Sequence, residues 1–206
     1  DFFTIKVSPL GTILWEARRP ADKYAVEYGM ELILDNNGNL VVTGIRWNGN
    51  DMDVQTVKYA PDGTEIWDAV FNSPFEGIDV PAAITAGPDG SIYIAGISWS
   101  GDSVDYLTIK YNADGTQAWA ARENGGGADS WNEATAIAVD ASGNVIVSGY
   151  SPNPEGWLNY YTVKYDSNGQ ELWTQAYNYA STDPDNPAEV TNSVPRAITT
   201  DASNNI

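Results

Sequence analysis

The chain has 206 residues, 42% of them hydrophobic with 8 Trp and 12 Tyr, which supplies apolar area for a packed core and excludes a disordered chain. Against 28 acidic residues it carries 10 basic ones, and the net charge of −18 repels phosphate backbones and anionic lipid, which excludes nucleic acid as a partner. With no His and no Cys there is no disulfide, no thiolate metal site and no Ser-His-Asp or Cys-His nucleophile, and no run of apolar residues is long enough for a transmembrane segment.

The first element is DFFTIKVSPLGTILW, Asp1 to Trp15. Two β-rich runs flank a turn that contains Gly11, so it reads as a hairpin. The second, GMELILDNNGNLVVTG (Gly29 to Gly44), is another hairpin, with Gly38 at the position that needs a positive φ. The two then alternate along the chain. DVQTVKYAPDGTEIW (Asp53 to Trp67) is followed by AAITAGPDGSIYIAG (Ala82 to Gly96), and DYLTIKYNADGTQAW (Asp105 to Trp119) by AIAVDASGNVIVSG (Ala136 to Gly149). NYYTVKYDSNGQELW (Asn159 to Trp173) precedes AITTDASNNI, whose Asn204 takes the place of the turn glycine. The closing residues Trp15, Trp67, Trp119 and Trp173 stand 52, 52 and 54 residues apart, and a near-fixed period of that length denotes a repeat architecture.

One repeat is thus four strands, A and B in the Asn-Gly hairpin and C and D in the hairpin that ends on Trp. Four antiparallel strands in a repeat of about 52 residues is the size of a β-propeller blade. The expected fold class is all-β: a β-propeller of four-stranded antiparallel blades, either four-bladed or part of a larger propeller. Residues 1–206 form a single array. Residues 1–17 supply strands C and D of a split blade, 29–72, 81–123 and 133–178 are full blades, and 194–206 supply strand A and the start of B. By comparison with Asn144 to Gly149, the chain is expected to continue past Asn205-Ile206 as a short apolar strand ending in glycine. An incomplete terminal blade also offers a route to self-association.

The patterns D-Y/F-x-T-I/V-K-Y, D-G-x-x-x-W and A-I-x-x-D-x-x-G-N-V-x-V-x-G resemble the bacterial SBBP β-propeller repeat, and the A-to-B hairpin is similar to that of NHL repeats. The resemblance spans essentially the whole chain. It implies a secreted or cell-surface propeller, extracellular or periplasmic, with strand A nearest the axis and strand D outermost, and it implies no agreed chemistry. D-G-x-x-x-W is also similar to the Asp-box of sialidases, but the spacing differs and no sialidase activity is carried across.

Lys6, Lys58, Lys110 and Lys164 recur with the repeat, as do the four closing tryptophans, and repeated residues read as packing and ion pairing because function breaks repeat symmetry. Asp35, Asp62, Asp114, Asp140 and Asp201 read as turn-capping carboxylates. Sequential antiparallel strands put the A-to-B and C-to-D turns at one end of each sheet and the B-to-C and D-to-A connections at the other. Trp47, Trp99 and Trp157 fall in B-to-C loops and Trp131 in a D-to-A loop, with Asp51, Asp102, Asp129 and Glu155 beside them. Aromatic faces and carboxylates sharing one loop-bearing surface form a candidate site for a protein or glycan ligand. The alternative is that each tryptophan folds back over its own sheet. In the insertion Ala180 to Ser193, Asp183, Asp185 and Glu189 are hard oxygen ligands suited to calcium, although EF-hand spacing is missing and a solvated acidic loop is the simpler expectation.

The function expected is a non-catalytic extracellular scaffold that binds protein or glycan, with no cofactor except calcium at that insertion. A carboxylate-dependent glycoside hydrolase or polysaccharide lyase is the second reading, and its sign would be a symmetry-breaking carboxylate pair with perturbed pKa. A structural subunit of a surface layer or fibre is the third.

Overall fold

The computed structural model of the chain describes residues 2–19, 26–125, 131–154, 156–177 and 192–206. Fourteen strands run through them: β1 (Phe2–Val7), β2 (Ile13–Arg19), β3 (Glu27–Leu34), β4 (Leu40–Trp47), β5 (Met52–Tyr59), β6 (Glu65–Phe71), β7 (Asp79–Ala86), β8 (Ile92–Trp99), β9 (Val104–Tyr111), β10 (Gln117–Glu123), β11 (Glu133–Val139), β12 (Val145–Pro152), β13 (Leu158–Tyr165) and β14 (Glu171–Tyr177). Every strand pairs antiparallel with its sequence neighbour, giving a two-stranded sheet β1-β2 and three four-stranded sheets, β3 to β6, β7 to β10 and β11 to β14. Among the described residues no helix is long and apolar enough to cross a membrane.

Each hairpin turn is the same device. In the eight A-to-B and C-to-D turns the first residue's N–H bonds the carbonyl four residues on and its own carbonyl accepts from the fourth, as in Ala60 with Thr64 (2.8 Å) and Gly63 (2.9 Å). The fourth residue must adopt a left-handed φ, 91° at Gly63 and 62° at Asn204, which explains why Gly or Asn stands there. A register shift follows in all four C-to-D ladders, next to the recurring lysine, which stands opposite the recurring tryptophan: Lys6 faces Trp15, Lys58 Trp67, Lys110 Trp119 and Lys164 Trp173.

The core lies between sheets. Three apolar clusters mark the three contacts between consecutive sheets: Phe2, Val42, Val57 and Tyr59; then Val41, Val54, Trp67, Ile92, Leu107 and Tyr111; then Tyr93, Tyr106, Val145, Tyr161 and Val163. Burial on both faces is why β5, β8 and β9 carry apolar side chains on both parities. The A strands β3, β7 and β11 pack one against the next, while the D strands occupy the outer edges of their sheets. The sheets do not close on one another.

Each tryptophan of a D strand reaches forward to the following sheet. Trp15 packs on Tyr59 and donates from Nε1 to Pro61 O (3.1 Å); Trp67 packs on Tyr111 and donates to Ala113 O (3.1 Å); Trp119 packs on Tyr165 and donates to Ser167 O (3.2 Å). The ring lies over the turn glycine of that next sheet, so closely that a Cβ on Gly115 would stand 2.6 Å from Trp67 Cγ. Trp173 has no following sheet among the described residues and is 38% exposed.

Two of the recurring lysines bind carboxylates of the A-to-B turns of their own sheets, at 2.8 Å for Lys58–Asp35 and 2.8 Å for Lys164–Asp140, with both carboxylates buried. In the sheet between them Gly87 occupies that turn position, and Lys110 instead donates to Ser167 O (3.0 Å) and lies 3.7 Å from Asp89. Residues 194–206, expected to supply strand A and the start of B, form no strand, and the described segment begins at 192. It lies beside β11, where Thr135 Oγ1 donates to Pro195 O (2.8 Å), and it builds only the A-to-B turn, Asp201 to Asn205. Among the described residues no strand pairs with it, and its Ser193 amide bonds Leu158 O at the start of β13 (2.8 Å).

Candidate functional site

The topology puts all the B-to-C and D-to-A connections at one end of the sheets, as the strand order requires. Two of the B-to-C connections are short and alike. Residues 48–51 and 100–103 are four-residue turns closed by Asn48 N to Asp51 O (3.1 Å) and Ser100 N to Ser103 O (2.9 Å), with Gly49 and Gly101 at positive φ. Trp47 and Trp99 therefore do not lie in loops. They end strands β4 and β8, paired with Met52 and Val104, and both are half-buried. Trp99 folds over Gly77, where any side chain would collide with the indole. Among the described residues the third B-to-C connection differs from these two and is the turn 153–157.

The loop-end acidic residues divide in the same way. Asp102 is exposed, whereas Asp51 is turned inward and bonded to Asn48 within its own turn. Asp129 and Glu155 lie outside the described residues, as do Asp183, Asp185 and Glu189. Among the described residues no group of three or more carboxylates is arranged to hold a metal ion.

Next to Asp51 are two further carboxylates that sequence reasoning did not single out. Asp53, 3% exposed, accepts from Asn48 Nδ2 (3.0 Å), and Asp79, fully buried, accepts from the Ser73 amide (2.7 Å). Burial, and then the charges of Asp51 and Asp79, push the Asp53 carboxyl up to about 6 against its Asn48 hydrogen bond. Burial also raises Asp79, opposed by hydrogen bonds from Ser98 and Ser73 and by the Arg122 charge. This is a symmetry-breaking, perturbed set. It lies between strand starts with almost no exposed surface, and its hydrogen bonds hold the connections 48–51 and 72–78.

The open part of this end belongs to the last sheet. Trp131, 50% exposed, enters β11 and donates from Nε1 to Glu133 Oε2 (3.3 Å), and Tyr150 donates to the same oxygen (2.6 Å). Trp157, 41% exposed, closes the turn 153–157, where Asn153 N bonds Trp157 O (2.8 Å) and Asn153 Oδ1 accepts from Trp157 N (2.9 Å). Beside this turn is a cleft of about 200 Å³ lined by Gly125, Ser151, Pro154, Asn159, Tyr161 and Ala176. Tyr161 donates to Glu123 Oε1 (3.0 Å) at its margin, and the buried Asn159 Oδ1 has no hydrogen-bond partner among the described residues. The cleft is smaller than the roughly 300–1,000 Å³ of a drug-sized ligand site, so it suits one small polar group with the flanking indoles left for a flatter contact. The sequence signal for this cleft was the substitution of Asn159 where the repeat has Asp53 and Asp105.

No family model and no curated protein matches the sequence. Solved structures similar to the chain include a eukaryotic initiation factor (TM-score 0.47, 9% identity, covering 91% of this chain and 39% of that one). A protein of unknown function from Bacteroides caccae matches with TM-score 0.40 and 11% identity over 90% of this chain and 77% of that one. A fucose lectin from Kordia zhangzhouensis, solved with methyl-fucoside, matches with TM-score 0.42 and 14% identity over 71% of this chain and 96% of that one. The chain spans less than two fifths of the initiation factor's length.

Proposed function

We propose that the chain is an SBBP-type β-propeller array that acts outside the cell as a non-catalytic scaffold and binds a protein or glycan at the loop end of its last sheet. Supporting the propeller reading, successive sheets stack face to face with their A strands together, and the strand layout follows the one the resemblance implies. The observation that carries the binding reading is the contrast between two sets of tryptophans. Trp15, Trp67 and Trp119 are spent on the next sheet, while Trp131 and Trp157 stay 50% and 41% exposed beside a polar cleft with an unpartnered carboxamide oxygen. Exposed indoles offer apolar faces to sugar rings or partner side chains, and Glu133 and Asn159 offer acceptors for hydroxyl or cationic donors.

The experiment is a glycan array and a pull-down comparing wild type with Trp131→Ala/Trp157→Ala. The double variant is expected to keep the wild-type melting temperature and lose the bound ligand. Equal binding by the folded double variant overturns the aromatic-platform reading. One observation favours a carboxylate-dependent hydrolase or lyase, namely Asp53 at about 6 beside Asp79. Their burial weighs against contact with a substrate, and unchanged turnover of any polysaccharide by Asp53→Asn removes that reading.

A further inference from the structure

Resting on the reading of this end as a binding surface, we propose that the cleft beside the turn 153–157 receives the acetamido group of an N-acetylated sugar, whose ring stays outside against Trp157. The repeat provides an internal comparison. Arg122 stands three residues after Trp119 on β10, and Ala176 three residues after Trp173 on β14. The two occupy the same place in their ladders, opposite Leu107 and Tyr161. In its sheet Arg122 crosses the strand ends, where Nε donates to Ser98 Oγ (2.9 Å) and the guanidinium lies 5.3 Å from the centre of the Phe75 ring. Ser151 is the counterpart of Ser98, each standing two residues past the glycine of its B strand. Alanine at 176 leaves the room that an arginine would take, and the cleft of about 200 Å³ lies there, with Ala176 and Ser151 in its lining.

Charge and wall chemistry select the occupant. A cation taken out of water needs a compensating charge. The sheet of Arg122 has two, Asp79 and Asp105, which stand on either side of Ser98 in the ladder and are both buried. In the last sheet the same two positions are Asn132 and Asn159, so the arginine and both carboxylates are exchanged together, and the cleft lining carries no ionised group. Glu123, at the margin, accepts from the Tyr161 hydroxyl and the Gly125 amide, each at 3.0 Å. A lysine, an arginine or a free amino sugar would enter without the charge partners that Arg122 has, so the occupant is neutral. The cleft offers an acceptor in the buried Asn159 Oδ1, which has no hydrogen-bond partner among the described residues. It offers a hydroxyl in Ser151, whose bond to Gly125 O is long at 3.5 Å, and apolar walls in Pro152, Pro154 and Ala176. A sugar hydroxyl would satisfy Asn159 and leave the apolar walls bare. An acetamido group matches all three, its N–H donating to Asn159 Oδ1, its carbonyl accepting from Ser151 and its methyl lying against the prolines and Ala176.

The test titrates the full chain with methyl glycosides of glucose and galactose that carry an acetamido, a hydroxyl or a free amino group at C2, and follows binding by NMR. For at least one of the two sugars the acetamido form is expected to bind about tenfold more tightly than the hydroxyl and amino forms, because it alone matches acceptor, hydroxyl and walls. Asn159→Asp is expected to reverse the order, with the amino form favoured about tenfold, since a carboxylate restores the charge partner. Ala176→Arg combined with Asn159→Asp rebuilds the pairing of Arg122 and Asp105, and is expected to keep the wild-type melting temperature while losing all three forms to a filled cleft. Absence of binding by any form, equal binding of the three, tighter binding of the amino form to wild type, or acetamido binding that survives in the folded double variant overturns the proposal. A ligand from the glycan array or pull-down that needs Trp131 and Trp157 but is indifferent to both cleft variants also overturns it, and leaves the binding surface itself standing. Should the double variant fail to fold, the reversal by Asn159→Asp decides the matter.

Discussion

Aspartates of this chain titrate in opposite directions according to what burial leaves around them. For Asp35 and Asp140 burial pushes the carboxyl up, but the hydrogen bonds from the lysine, from Asn39 or Asn144 and from the turn amides outweigh it and hold each at about 2. A carboxyl held below its ordinary 3.8 contributes stability that is present above that value and is lost as pH falls through about 2. Asp53, pushed up to about 6, works the other way: its contribution is full below 3.8 and is gone once pH has risen through 6. The melting temperature is therefore expected to rise as pH falls from 7 towards about 4.5 and to drop at lower pH. Relief of repulsion among the acidic excess adds to the rise, so the comparison that isolates Asp53 is Asp53→Asn, which should raise stability at pH 7 and flatten the upper limb only. An unchanged upper limb in that variant would show that the carboxyl is solvated.

Between strands and sheets, the weight of a tryptophan depends on whether a further sheet follows. Trp67, 8% exposed against Tyr111 and the Gly115 turn, should cost about 3–5 kcal/mol on truncation to alanine, and Trp173, 38% exposed, about 1 kcal/mol or less. Chemical denaturation of the two variants checks this, and equal losses would refute the forward-packing account. The turn glycines give a matched comparison: Gly11→Ala meets open space and should cost only the strain of its φ of 81°, about 1–2 kcal/mol, whereas Gly115→Ala must also displace Trp67. Sequence legibility followed the same boundary. Hairpins, turn glycines and the order of the four strands in a repeat were readable because local chain geometry dictates them. That D-G-x-x-x-W joins one sheet's tryptophan to the next sheet's glycine was not, since the two halves of the contact lie in different copies of the motif. Trp47 and Trp99 were misplaced in loops because Asn-Gly and Ser-Gly turns let the strands run to the last residue before the bend. Residues 194–206 read as strand A and the start of B because their sequence has strand character, but among the described residues no strand pairs with them.

For the whole molecule, stability resides in contacts between nearest sheets, as in other repeat arrays. Hydrogen exchange is expected to be slowest in β8 and β9, which are buried almost throughout, and fastest in β2 and β14, which are largely exposed. Uniform protection across all fourteen strands would mean that the sheets unfold as one unit. The forward reach of each tryptophan has a further consequence. Every contact of this kind joins a plug on one sheet to a socket on the next, so the stack is vectorial, running from Trp15 to the Gly63 turn, from Trp67 to the Gly115 turn and from Trp119 to the Gly169 turn. Sheets coded this way can be lengthened tail to head and never head to head. A ribosome releasing them in order delivers each plug before the socket that receives it, so every new sheet locks its predecessor as it emerges.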